Sequence, residues 1–138
     1  MEQSLLIIKP DGVSRHLTGR ILARAEENGF RIVAIKMMRV DSDLARKLYA
    51  EHRKKPFFSK LVSYITSAPV VVAVLERENA ITALRDLAGK TDPREAGKGT
   101  IRGDFGIDVE RNTVHASDSS ESAKREIELF FRPGEILP

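Results

Sequence analysis

Ser4-Leu5-Leu6-Ile7-Ile8-Lys9 reads as a strand whose apolar residues do not alternate with polar ones. An unbroken run this short, closed by the turn residues Pro10-Asp11-Gly12, belongs inside a sheet with both faces covered. The cover follows along the chain. Thr18 offers an N-cap, Ile21, Leu22 and Ala25 recur at helical spacing, and Asn28-Gly29 supplies the stop. Phe30 to Val40 is a second strand. Asp41-Ser42-Asp43 caps a helix to about His52; Lys55-Pro56 interrupts it, and Phe57 to Ser67 resumes the spacing through Phe58, Leu61, Val62 and Ile65. Pro69 precedes a third, strongly β-branched strand, Val70 to Leu75. Asn79 to Ala88 is a helix closed by Gly89. Lys90 to Arg111 has little periodicity and holds Gly97, Gly99, Gly103 and Gly106, which predicts a loop with a task of its own. A short strand, Asn112 to His115, and a helix from Ser120 to Phe131 complete the chain before Arg132-Pro133-Gly134.

The order β-α-β-α-α-β-α-loop-β-α predicts one α+β domain over residues 1–138. Its expected form is a ferredoxin-like α/β sandwich, a four-stranded antiparallel sheet covered by helices. That architecture serves many functions, so function must come from the site.

Composition narrows the classes. The 41% apolar and 31% charged residues are those of a globular chain, not a disordered one. No apolar run approaches the ~18–20 residues of a membrane span. The opening Met1-Glu2-Gln3-Ser4 lacks a basic flank and an apolar signal core, and cysteine is absent, so a cytoplasmic protein without membrane partners is expected. A net charge of +3, with cations spread along the chain, argues against a dedicated nucleic-acid binder.

Three familiar signals fail on context. Val33-Ala34-Ile35-Lys36 and Asp104-Phe105-Gly106 look like protein-kinase motifs, but no Gly-rich loop precedes the first and no His-Arg-Asp loop separates them. Gly89-Lys90-Thr91 resembles the tail of a phosphate-binding loop, yet Leu84 stands where its first glycine must be. Arg102-Gly103-Asp104-Phe105-Gly106 echoes an RNA-recognition signature with Asp104 at an aromatic position.

His115 differs from His16 and His52, which are read as surface or satisfied core histidines. It ends a short strand within Asn112-Thr113-Val114-His115-Ala116-Ser117-Asp118. In the last helix Ala123, Ile127 and Phe130 define the apolar face, and Glu126 falls within ~60° of it. A carboxylate on a buried side needs a partner. That partner is either an Arg or Lys, or His115, whose ring it would orient during nucleophilic attack. Spacing does not choose between them.

Four ordered segments then point one way: Ile8-Lys9-Pro10-Asp11-Gly12-Val13, Pro56-Phe57-Phe58, Gly99-Thr100-Ile101-Arg102-Gly103-Asp104-Phe105, and Asn112 to Asp118. Over Leu6 to Phe131 the chain resembles the nucleoside diphosphate kinases. The last segment matches their N-x-x-H-G-S-D signature except at Ala116, where glycine is usual. Alanine is small enough to keep the histidine in place, but positive φ costs it more than glycine.

The resemblance implies transfer of the γ-phosphate of a nucleoside triphosphate to a nucleoside diphosphate, with Mg²⁺, through a phosphohistidine at His115. It implies Lys9 reaching the ribose and the transferring phosphate, Arg85, Thr91 and Arg102 as phosphate ligands, and Tyr49 beside the histidine. Asn112 would bind sugar hydroxyls, Glu126 would orient His115 with Ser117 supporting it, and Asp118 would hold the metal through water. Phe57 would stack on the base, with Leu61 and Val109 lining the slot, and stacking that ignores base edges would admit purines and pyrimidines alike. A homo-oligomer, tetramer or hexamer, is also implied; ending at Pro138, the chain lacks the longer tail by which some members contact neighbours. Two competing readings make different predictions. A non-catalytic nucleotide- or RNA-binding module would bind without a phosphoenzyme, and a histidine phosphocarrier would be phosphorylated without serving free diphosphates.

Overall fold

The first strand, β1 (Glu2–Ile8), does what its unbroken apolar run requires. Leu5 and Ile7 enter one core and Leu6 and Ile8 the other, all fully buried. A computed structural model describes all residues 1–138. Besides β1 it contains β2 (Arg31–Met38), β3 (Val70–Arg77) and β4 (Val114–Ala116) in the order β2-β3-β1-β4, every neighbouring pair antiparallel. The expected four-stranded antiparallel sheet is therefore present.

Helices cover both faces. On one lie α2 (Thr18–Glu27) and α5 (Ala80–Ala88), burying Ile21, Ala25, Leu84 and Ala88 against Leu6, Ile8 and Ala73. On the other lie α3 (Ser42–Leu48), α4 (Phe58–Ile65) and α7 (Ser120–Phe130), with Leu48, Ile65 and Phe130 against Leu5, Ile7, Val72 and Val74. Asp41 caps α3 as expected, its carboxylate accepting from Leu44 N–H at 2.8 Å. No helix is long and apolar enough to cross a membrane.

The structure corrects several boundaries. Pro10-Asp11-Gly12 is not a turn but the first residues of a short helix, α1 (Pro10–Ser14), for which Pro10 presets φ at the first position. Thr18 is not an N-cap: Leu17 is already helical (φ −98°, ψ −6°), so the chain enters α2 one residue earlier. The helix expected to reach His52 breaks at Leu48 and continues as a 3-10 turn, Ala50–His52. Within Lys90 to Arg111 lies a further helix, α6 (Ile101–Phe105), capped by the Thr100 hydroxyl on Gly103 N–H at 3.0 Å. The last strand starts at Val114 rather than Asn112, because Asn112 and Thr113 are bent into a turn.

Candidate active site

The C-terminal end of β1, the start of α4, the end of α5, α6 and the β4–α7 junction converge on one cleft of about 1230 Å³. Every site residue expected from the sequence lines it except Ser117, which lies behind Glu126.

The floor is built by β4 and α7. His115 is paired across the sheet with Ile7 and exposes 18% of its side chain, while the Glu126 carboxyl is 5% exposed on the buried face of α7. His115 Nε2 and Glu126 Oε1 are 2.7 Å apart. The same oxygen accepts the Ser117 hydroxyl at 2.8 Å, and Ser117 Oγ accepts Leu5 N–H at 3.3 Å, tying the carboxylate to the central strand. Both partners envisaged for Glu126 are present, since Arg125 Nη2 lies 3.7 Å from its other oxygen. The Tyr49 ring meets that of His115 edge-on, centroids 6.3 Å apart. Burial, then the Glu126 charge, holds the Tyr49 phenol protonated far above neutral pH.

Cations form the next layer. Lys9 is buried, and its ammonium donates to Asn112 Oδ1 at 2.9 Å; Asn112 Nδ2 donates to the Thr91 carbonyl at 3.0 Å. Burial, then the Arg102 charge, lowers Lys9 to about 8, with Asp11 opposing the shift. Arg102 donates to the carbonyls of Gly89 (2.8 Å) and Val114 (2.9 Å), yet its buried Nε has no partner. Burial, then the Arg85 charge, lowers this guanidinium to about 10. Arg85 is held by the Asp118 carbonyl at 3.3 Å, and the Asp118 carboxylate is exposed. A buried N–H without a protein partner in a cationic cleft is a donor suited to an anion.

The outer part is apolar and open. Phe57 and Val109 are 43% and 51% exposed and share it with Leu61. Arg24, on α2, clamps the segment that carries Thr91 and Arg102: it pairs with Asp104 at 2.7 Å, bonds the Gly99 and Thr100 carbonyls and covers the Phe105 ring.

One cleft residue escapes the sequence reading. His52 is neither surface nor satisfied core: its ring lies 5.4 Å from Phe57 and 6.4 Å from Tyr49, and its buried Nδ1 is unpartnered. Burial, then the Lys55 ammonium, holds it below the usual histidine range. Tyr49 and His52 stand three apart on one helical turn, a spacing that could have placed both on the same wall. Ala116, whose backbone was in question, keeps a negative φ; the positive value falls on Thr113, at +79°.

Comparison with known proteins identifies the family. The family model for nucleoside diphosphate kinase matches residues 2–136. The chain is similar to the nucleoside diphosphate kinase of Archaeoglobus fulgidus (57% identity; 99% of this chain, 91% of the relative) and to that of Pelotomaculum thermopropionicum (56%; 99% and 92%). Among solved structures it is similar to the Aquifex aeolicus nucleoside diphosphate kinase (TM-score 0.97, 45% identity, 99% of each chain). It is also similar to the Halobacterium salinarum nucleoside diphosphate kinase in complex with CDP (TM-score 0.96, 46% identity; 99% of this chain, 91% of that one). Matched along nearly its whole length in sequence and in fold, the chain belongs to the nucleoside diphosphate kinase family.

Proposed function

We propose that this enzyme serves the cytoplasmic nucleotide pools by a ping-pong route in which His115 Nδ1 takes the γ-phosphate of a nucleoside triphosphate and passes it to a diphosphate. The observation that carries the reading is the 2.7 Å contact between His115 Nε2 and the buried Glu126 carboxylate. With Nε2–H donated to Glu126, Nδ1 is the ring nitrogen left with a lone pair for the cleft.

In the first half-reaction the Nδ1 lone pair attacks the γ-phosphorus, the bond to the bridging oxygen breaks, and the diphosphate leaves with that electron pair. Positive charge growing on the ring is met by Glu126, whose position Ser117 fixes. In the second half a terminal oxygen of the acceptor diphosphate attacks the same phosphorus and the N–P bond breaks. Charge spread over the transferring oxygens needs fixed cations and donors. Lys9, Arg85, Arg102 through its unpaired Nε, Thr91 and the protonated Tyr49 supply them, and His52 Nδ1 adds a further polar contact. Asn112 keeps one lone pair and one N–H for sugar hydroxyls after its bonds to Lys9 and Thr91. Phe57, Leu61 and Val109 take the base by stacking and apolar contact, which accepts any base.

Mg²⁺ fits this donor set. The chain gathers no cluster of three or more carboxylate or histidine ligands, while the exposed Asp118 carboxylate lines the cleft. One carboxylate reached through water, with the phosphates as the other ligands, suits an ion that keeps much of its hydration. When bound, it would neutralise charge on the phosphate oxygens. Assembly into a tetramer or hexamer is supported by Ile35 and Met37, 48% and 61% exposed on the edge strand β2, and sedimentation would test it.

Initial rates with ATP varied at several fixed GDP concentrations test the mechanism. Parallel reciprocal plots, and CDP accepted within about 10-fold of GDP, are expected. Intersecting lines would require both nucleotides bound at once and would contradict it.

Lys9 gives the reading a pH signature. Its value in the free protein, about 8, lies below the ordinary 10.5, so charged Lys9 costs folding free energy at neutral pH. Stability from this site therefore rises as pH climbs from about 8 toward 10.5. Nucleotide binding works in the opposite direction, because phosphate favours the ammonium. Near pH 8 the binding of ADP is expected to take up a fraction of a proton, and affinity is expected to weaken above pH 8. Calorimetry in buffers of different ionisation enthalpy checks this, and proton release at pH 8 would contradict it.

A further inference from the structure

Thr113 holds the strained backbone closest to the histidine. It is β-branched, yet its φ is +79°, a region that glycine alone adopts freely. Val114 N–H donates to the Asn112 carbonyl at 2.9 Å and closes a three-residue turn around it. Asn112, at one end, is the partner of Lys9, and His115 stands two residues beyond Thr113. Such strain persists only where the surroundings over-determine it.

Those surroundings are a buried carboxylate and a phenol. Thr113 Oγ1 donates to Asp11 Oδ2 at 3.1 Å, and the Thr113 carbonyl accepts Lys9 N–H at 2.8 Å. Asp11 Oδ1 accepts the Tyr64 hydroxyl at 2.6 Å, and that hydroxyl accepts Asp11 N–H at 2.9 Å. Burial, then the bond to Asp11, keeps the Tyr64 phenol protonated, which fixes the direction of donation. Arg15 pairs with the same carboxylate at 4.0 Å from Asp11 Oδ2, and the Lys9 and Arg111 charges also act on it. Gly12 completes the fit, since a Cβ there would lie 3.1 Å from Thr113 Cγ2 and 2.7 Å from Ile8. Neither Asp11 nor Tyr64 lines the cleft. Tyr64 does, however, stand three residues past Leu61 and seven past Phe57, on the same side of α4 as the base slot. The bonds therefore run from the base-slot helix, through Asp11, to the turn beneath His115.

We propose that Asp11 and Tyr64 are positioning residues for phosphoryl transfer: they clamp the strained turn at Thr113 and so set Asn112 against Lys9 and aim His115 into the cleft. The inference rests on His115 being the phosphate acceptor. A core assembled for stability alone gains nothing from a β-branched residue at +79° beside a buried carboxylate, because each costs folding free energy.

The test is single-turnover phosphorylation of the full chain by saturating γ-labelled ATP with Mg²⁺, in wild type, Tyr64→Phe, Asp11→Asn and Tyr64→Phe/Thr113→Gly. Each single variant is expected to react about 10-fold slower or more, since small misplacements of a reacting group are costly. KM for nucleotide, read from steady-state turnover, should rise less than the phosphorylation rate falls, since Lys9, Arg85, Arg102 and Phe57 stay in the cleft. The double variant should recover most of the loss of Tyr64→Phe, because glycine reaches +79° without the steric strain the clamp must offset. Tyr64→Phe removes one oxygen and keeps the ring, so it carries the test even where Asp11→Asn does not fold. Wild-type rates in Tyr64→Phe, or a loss that Thr113→Gly does not recover, would overturn the inference. A wild-type chain that takes up no label would instead overturn the reading beneath it, and the inference with it.

Discussion

His115→Ala is expected to abolish the phosphoenzyme and to lower transfer from ATP to GDP by at least ~10⁴-fold, about 5.5 kcal/mol of barrier. The side chain is the one nucleophile at the cleft floor. Its Nε2 faces Glu126, and no cysteine exists to replace it. His52, the other imidazole in the cleft, has an unpaired Nδ1 but no carboxylate hydrogen-bonded behind its ring. Nucleotide affinity should survive, because Lys9, Arg85, Arg102 and Phe57 remain in place. Rates and binding measured together give the check: lost turnover with ADP still bound is the expected pair. Retained turnover would move the chemistry elsewhere in the cleft.

The second large effect lies one bond behind. Glu126→Ala is expected to cost ~10²–10³-fold in kcat, comparable to losing a preorganised group that meets developing charge. The alanine takes away the acceptor shared by His115 Nε2 and Ser117 Oγ and leaves the ring free to turn. Glu126→Gln keeps an amide oxygen that can accept from the histidine but carries no charge, so a loss of about 10-fold is expected. KM should change little in either variant, since Glu126 bonds Nε2, the ring nitrogen opposite the one proposed to attack. Ser117→Ala should fall between wild type and Glu126→Gln. Melting should barely move in Glu126→Gln, because the buried carboxylate is itself costly to desolvate. A kcat loss without a stability loss separates orientation from scaffolding.

Much of this site was legible before any coordinates. A short continuous apolar run closed by turn residues suggests a strand covered on both faces, and Leu5, Leu6, Ile7 and Ile8 divide between two cores accordingly. Glu126 stands on an apolar helix face, where a carboxylate needs a partner, but its spacing leaves open whether that is a cation or His115, and the family resemblance points to His115. What stayed hidden depends on tertiary contact. The helix α6 is only five residues long, too short to carry a periodic signal, and is held by the Thr100 cap and by Arg24 reaching from α2. His52 looked ordinary because no local pattern reveals an unpaired ring nitrogen. At Thr113 the sequence points to strand and the structure to a turn: β-branching argues for extended backbone and against φ of +79°, and its bonds to Asp11 and Lys9 make the turn intelligible. The positive φ of this junction falls on Thr113, and Ala116 in place of glycine carries none.

The most direct test of the central claim is to mix the protein with γ-labelled ATP and Mg²⁺, remove free nucleotide, locate the label, and then add unlabelled GDP or CDP. The expected result is an acid-labile phosphate on His115 Nδ1, absent in His115→Ala and discharged by either diphosphate. A protein that binds ATP but never carries label, or carries label that neither diphosphate removes, would contradict the account.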